Sequence, residues 1–185
     1  MLPTTLEREV AESPTREASV IASDDFQILL NALRRRGYQT IGPTVRDGAI
    51  VYEEIAEVRD LPVGLSDEQG PGHYRLEQQN DGGFFGYTVG LHAWKRYLYP
   101  PVTCLWRAVR NGDGFTIEEP DKAAPKMAFI GVRACELKAI KIQDRIYLNG
   151  PYSDPDYRAR RASTFILAMN CTRAGDTCFC TSMES

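Results

Sequence analysis

The sequence predicts an α/β or α+β fold, a mixed sheet with β-hairpins toward the N-terminus and a βαβ-like unit at the C-terminal end that carries a cluster of cysteines. Three observations predict it. One strongly amphipathic helical stretch opens the ordered part, short β-rich runs bounded by turn residues follow, and from Lys126 apolar runs alternate with helical patterns in the order strand, helix, strand. A chain of 185 residues, 43% hydrophobic and 25% charged, is long enough to bury a sizeable core.

Residues 1–22 combine Pro, Ser, Thr and charge without hydrophobic periodicity and read as a flexible arm; residues 23–185 read as a single domain. Ser23 is a good N-cap, Asp24 and Asp25 suit the positive end of a helix, and Phe26, Leu29, Leu30 and Leu33 recur at helical spacing before Arg34, Arg35, Arg36 and Gly37. Strands are expected in "YQTIGP", in "TVRDGAIVYEEI" around an Asp47-Gly48 hairpin turn, and in "HYRLEQ"; the Gly/Pro-rich "LPVGLSDEQGPG" between them reads as a loop. "TCLWRAV" and "GFTIEE" flank the turn-forming "RNGDG" as a second hairpin. Then "KMAFIGV" reads as a buried strand, "CELKAIKIQDRIYL" and "PDYRARRA" as helices, and "STFILAMN" as another buried strand, which together imply parallel strands joined by a right-handed crossover.

The formal net charge of −3 supplies no broad basic field, so nucleic acid is not an expected partner. No apolar run approaches the roughly 20 residues that cross a bilayer, and the first residues are acidic and polar, so a cytoplasmic chain without membrane insertion is expected. In a reducing compartment an odd count of five cysteines argues for metal or redox chemistry rather than a disulfide framework.

Parallel strands of such a unit end on one edge of the sheet, where ligands of open α/β sheets bind. Cys135 follows the first strand and Cys171 the second, while the loop "TRAGDT", with Gly175 for a tight turn, returns Cys178 and Cys180 toward them. Four converging thiols are what an iron–sulfur cluster or a structural zinc requires. The spacing C-x6-C-x-C with a distant fourth Cys belongs to neither the ferredoxin run nor the paired zinc-ribbon pattern, and the bland alternative is a group of core thiols. The start of a helix at Cys135 favours a thiolate there, and Arg133, Lys138 and Arg173 are cations that could offset the charge.

Elsewhere the signals are weaker. His73 and His92 lack ligand spacing and imply no catalytic base. "HAWKRYLYPP" reads as a docking surface or as a segment packing Trp94, Tyr97 and Tyr99 on the core. "PDYRARRAS" reads as a solvated helix face or a site for an acidic partner or a phosphate, and "GGFFGYTVG" lacks the spacing of a dinucleotide fingerprint.

"FIGVRACELKAIKIQDRIYLNG" and "NCTRAGDTCFCTSM", with "KRYLYPP" upstream, resemble the N-terminal region of the iron–sulfur beta subunit of sulfhydrogenase-type nickel–iron hydrogenases and the related A subunit of anaerobic sulfite reductase. The resemblance implies a non-catalytic electron-transfer component that holds a 4Fe-4S cluster. Its partners would be a flavin- and nicotinamide-binding reductase subunit and a catalytic hydrogenase or sulfite reductase subunit. The family's cysteine blocks fall on Cys135, Cys171, Cys178 and Cys180 as cluster ligands, whereas Cys104 matches no family motif and is expected in the core. The family continues past this block into a ferredoxin-like module, which the sequence in hand, ending at Ser185, is expected to lack. A domain stapled by zinc, or a metal-free structural or interaction domain, is the alternative.

Overall fold

The computed structural model describes residues 18–88, 90, 92–119 and 123–185. Most of the expected arm lies outside these; residues 18–22 are exposed and without regular structure. A single 3₁₀ turn, Ser23–Asp25, leads into helix α1, Phe26–Arg35, so the α-helix starts later than Ser23 and no side chain caps it. Strands β1 (Gln39–Arg46) and β2 (Ala49–Glu54) form an antiparallel hairpin whose turn residues, Asp47 and Gly48, both have positive φ as the Asp-Gly pair requires.

The stretch read as a loop contains a strand. β3 (Leu65–Gly70) pairs with β4 (His73–Gln78), and the sequence hides it because its buried positions are Ser66 and Asp67, which are satisfied by hydrogen bonds instead of apolar contact. After the short helix α2 (Lys95–Leu98), strands β5 (Arg107–Asn111) and β6 (Gly114–Glu118) make the other expected hairpin, and every residue of both is exposed. The C-terminal part then runs β7 (Met127–Val132), α3 (Ala134–Tyr147), α4 (Pro155–Ala162), β8 (Thr164–Ala168) and a final turn of helix, α5 (Cys180–Met183).

The main sheet has the order β2-β1-β7-β8, with β7 parallel to both β1 and β8. Strand β7 is buried at all six positions because both its faces are covered. Met127 and Phe129 face a cluster with Ile41, Trp94 and Ile140 of α3; Ala128 and Ile130 face Leu30 and Leu33 of α1. Burial of a side chain the size of Phe129 stabilises by roughly 1.5–3 kcal/mol. Strand β8, expected to be buried, is instead the sheet edge: Phe165 is 38% exposed, Ala168 is exposed, and the other three residues are only half-buried.

Of the two readings of "HAWKRYLYPP", core packing holds for its aromatic centre. The Trp94 ring stacks between Tyr52 at 4.0 Å and Phe129 at 4.6 Å, and the Tyr97 hydroxyl donates to the Tyr52 carbonyl at 2.6 Å. In "PDYRARRAS" the buried Tyr157 donates to Asp144 at 2.7 Å and Arg161 pairs with the same carboxylate at 3.2 Å, so part of this segment ties α4 to α3.

The parallel ladder between β7 and β8 is interrupted between Ile130 and Val132. Gly131, at φ +84°, is the extra residue, and it returns Val132 to the face of Phe129. An added Cβ at Gly131 would stand 2.6 Å from Cε1 of Phe85. Gly131→Ala is therefore expected to destabilise the fold by about 2–3 kcal/mol, from positive φ and ring displacement together. Phe85→Leu in the same chain should recover part of the loss, as read by urea denaturation.

A second test concerns the 3₁₀ turn Val58–Asp60, where the Asp60 carboxylate accepts the backbone N–H groups of Ala56 at 2.7 Å and Glu57 at 2.8 Å. The Glu57 and then the Ala56 hydrogen bonds hold its carboxyl below the usual range. A depressed value means stability that is present above the ordinary carboxylate range and lost as pH falls through the depressed one. Asp60→Ala should cost about 1 kcal/mol at pH 7. In denaturation at pH 7 and near pH 2, the gap between variant and parent should shrink at the lower pH.

Candidate functional site

The rim at the C-terminal ends of β7 and β8 is where the sequence-predicted residues meet. Beyond β8 the ladder continues for one bond, the Met169 N–H donating to the Val132 carbonyl at 2.9 Å, so Cys135 and Cys171 leave the sheet at the same end. Residues Thr172 to Cys180 then fold back over it. The Cys178 N–H donates to the Gly175 carbonyl at 3.0 Å, and the Gly175 N–H donates to Cys178 Sγ at 3.2 Å. The result is a cavity of about 480 Å³ lined by Cys135, Cys171, Cys178 and Cys180 together with Thr88, Arg133 and Arg173. A second cavity, of about 510 Å³, opens on the other side of Cys135, Cys178 and Cys180, toward His73 and Tyr74.

Arg133 was legible in the sequence only as a nearby cation, and the structure gives it a larger part. It is 2% exposed. Its Nη1 donates to Cys171 Sγ at 3.0 Å, its Nη2 donates to the carbonyls of Phe85 at 3.2 Å and of Tyr87, and its guanidinium lies 4.8 Å from the Tyr87 ring centre. The "GGFFGYTVG" segment thus supplies carbonyl acceptors and a ring face to a buried cation, a role that glycine spacing alone does not advertise. The Arg133 backbone N–H donates to Glu136 Oε2 at 2.9 Å, capping α3, and Tyr52 donates to Glu136 Oε1 at 2.5 Å. Burial pushes the Glu136 carboxyl up, opposed by the hydrogen bonds from Tyr52 and the Arg133 backbone.

Cys135 is the second residue of α3 and is half-buried. The expectation that the helix start would favour its thiolate meets a stronger opposing effect. Burial pushes the Cys135 thiol up, Glu136, Cys180 and Cys171 push it the same way, and the backbone hydrogen bond at Glu136 works against them. Cys180 is half-buried, and Cys171 and Cys178 are exposed. Cys104 is not the core thiol expected. It is exposed, and its Sγ donates to the Trp106 carbonyl at 3.5 Å.

The donor set fits a four-thiolate group, since the four thiols share one cavity with a buried guanidinium against one sulfur and a backbone N–H against another. Among the described residues no group of three or more His, Cys, Asp or Glu side chains is arranged to hold a metal ion. His73 sits apart from this wall, half-exposed with Nε2 3.7 Å from a Glu68 carboxylate oxygen. Among the described residues no helix is long and apolar enough to cross a membrane.

No family model matches the chain and no solved structure matches it. Over 112 residues the chain is 31% identical to the sulfhydrogenase 2 subunit beta of Pyrococcus furiosus, an alignment that covers 60% of this chain and 31% of that subunit. The chain thus spans less than a third of the length of the relative it matches, and over that span it is similar to a sulfhydrogenase beta subunit.

Proposed function

We propose that this chain is an electron-transfer component of a hydrogenase-like or sulfite-reductase-like complex, and that Cys135, Cys171, Cys178 and Cys180 hold one 4Fe-4S cluster. The observation that carries the reading is the single cavity walled by all four thiols. When bound, such a cluster supplies a one-electron redox centre. The protein's own part is to supply the thiolates, to set buried positive charge against Cys171 through Arg133, and to direct the Gly175 N–H at Cys178. No substrate chemistry is assigned to the chain.

Four thiols on one cavity are the donor set of a cluster, in which each iron takes its own cysteine; a zinc ion takes the same four, and the metal and sulfide content separates the two. The similarity to a protein named as a sulfhydrogenase subunit supports membership of an assembly. So do the large apolar side chains left in solvent, among them Phe115 at 73% and Ile117 at 69% exposure, which suit a surface that docks on another chain. The partners proposed are a flavin- and nicotinamide-binding reductase subunit and a catalytic hydrogenase or sulfite reductase subunit.

The test is iron and acid-labile sulfide content, with an absorption spectrum, on protein purified without oxygen. About four irons and four sulfides per chain are expected, with absorbance that bleaches on reduction. One zinc without sulfide would replace this reading with a metal-stapled interaction domain.

Alanine at any one of Cys135, Cys171, Cys178 or Cys180 should lower the iron content or convert the cluster, while Cys104→Ala should leave it unchanged. Equal loss in all five variants would remove the ligand assignment. Arg133→Lys keeps the charge but not the fork that reaches sulfur and two carbonyls, so it should lower stability by about 1–3 kcal/mol. Arg133→Gln also removes the positive charge beside a ligand sulfur and should shift the cluster potential to more negative values, measured by redox titration.

A further inference from the structure

The loop that carries Cys178 and Cys180 is gripped from outside the βαβ unit. Asp67 of β3 is 4% exposed, and each of its carboxylate oxygens is engaged. Oδ1 accepts the Thr88 backbone N–H at 2.6 Å; Oδ2 accepts the Thr88 hydroxyl at 2.6 Å and the Gln69 side-chain amide at 2.5 Å. That amide also reaches the Thr88 hydroxyl oxygen at 2.8 Å, and Gln69 Oε1 accepts the Thr177 hydroxyl at 3.0 Å. A hydroxyl committed to Asp67 fixes the Thr88 rotamer and therefore the direction of its methyl group. That methyl is what the loop lies against: a Cβ added at Gly175 would stand 2.8 Å from Thr88 Cγ2.

We infer that Asp67 and Thr88 are positioning residues for the cysteine loop. Asp67 locks Thr88, Thr88 presents a methyl surface that only a glycine at position 175 can approach, and Gln69 ties down Thr177 beside it. Gly175 is thus required for close approach, in addition to the turn it makes with Cys178. Through this contact the β3–β4 hairpin sets where Cys178 and Cys180 stand relative to Cys135 and Cys171. The consequence for a cluster rests on the electron-carrier reading above; the grip itself does not.

The experiment is pulsed iodoacetamide labelling of the metal-free chain, with each cysteine read by mass spectrometry and exposed Cys104 as internal standard. In Gly175→Ala, labelling of half-buried Cys180 relative to Cys104 should rise about fivefold as the loop is pushed off Thr88. Thr88→Ser removes Cγ2 but keeps the hydroxyl for Asp67, so Gly175→Ala with Thr88→Ser should return the rate toward that of the parent. Asp67→Ala should behave like Gly175→Ala, and Asp67→Asn, which retains one acceptor, should lie between. An unchanged rate in Gly175→Ala, or a rise that Thr88→Ser does not reverse, would overturn the grip. Iron uptake by the same proteins separates the two readings. Thiols that respond in a parent that takes up no iron leave the grip standing without the cluster, and unresponsive thiols in a parent that takes up iron do the reverse.

Discussion

A guanidinium buried at the end of the central strand is the constraint around which the site is built. Taking the Arg133 charge out of water costs several kcal/mol unless partners replace the lost solvent. The partners come from separate parts of the chain: carbonyls of Phe85 and Tyr87, the face of the Tyr87 ring, and the sulfur of Cys171. Satisfying one ion thus ties the end of β7, the segment after β4 and the segment after β8 into one arrangement. The carbonyls match the guanidinium in geometry only. The Glu136 carboxyl near it is a group that can match it in charge.

What carries Arg133 to that place is the irregularity at Gly131. Were Gly131 paired as a regular strand residue instead of bulged, the strand would continue its alternation through it and Val132 would turn to the opposite face. The bulge instead keeps Val132 in the core beneath α3, so that Arg133 caps the helix and Cys135 follows in its first turn. The cost of this geometry falls on Phe85, whose ring fills the space a side chain at Gly131 would take. Phe85 also offers its carbonyl to Arg133, so one residue both fills the bulge and helps to satisfy the ion that the bulge positions.

Much of this arrangement was legible in the sequence. The apolar run at Met127–Val132, the amphipathic helix before Gly37 and the Asp47-Gly48 turn each follow from local pattern, and the convergence of Cys135 with Cys171 follows from parallel topology alone. What was not legible has a common physical cause, which is burial satisfied by polar groups. Strand β3 reads as a loop because Ser66 and Asp67 are its buried residues, and Arg133 reads only as a nearby cation until the carbonyls that receive it are known. The edge position of β8 and the exposure of Cys104 are hidden from the sequence for the opposite reason. An apolar or thiol side chain carries no signal of whether a neighbour is present to cover it.

The two walls of the cysteine cavity differ in a way that bears on what the site can do. One wall is the protein interior: Arg133 and Thr88 are buried, and Cys135 beside them is half-buried. The other is the loop, where Cys171, Cys178 and Arg173 are exposed and Phe179, between the last two cysteines, is 61% exposed. A structural staple gains nothing from such asymmetry, because its purpose is served by a closed and symmetric set of ligands. A redox centre does gain from it. Buried positive charge and hydrogen bonds on one side tune the potential, while a thin, exposed side lets a partner's redox group come close. On the electron-carrier reading a partner's approach is therefore from the loop side at Cys178 to Cys180, and the polar grip from β3 serves to keep that wall in place while leaving it accessible.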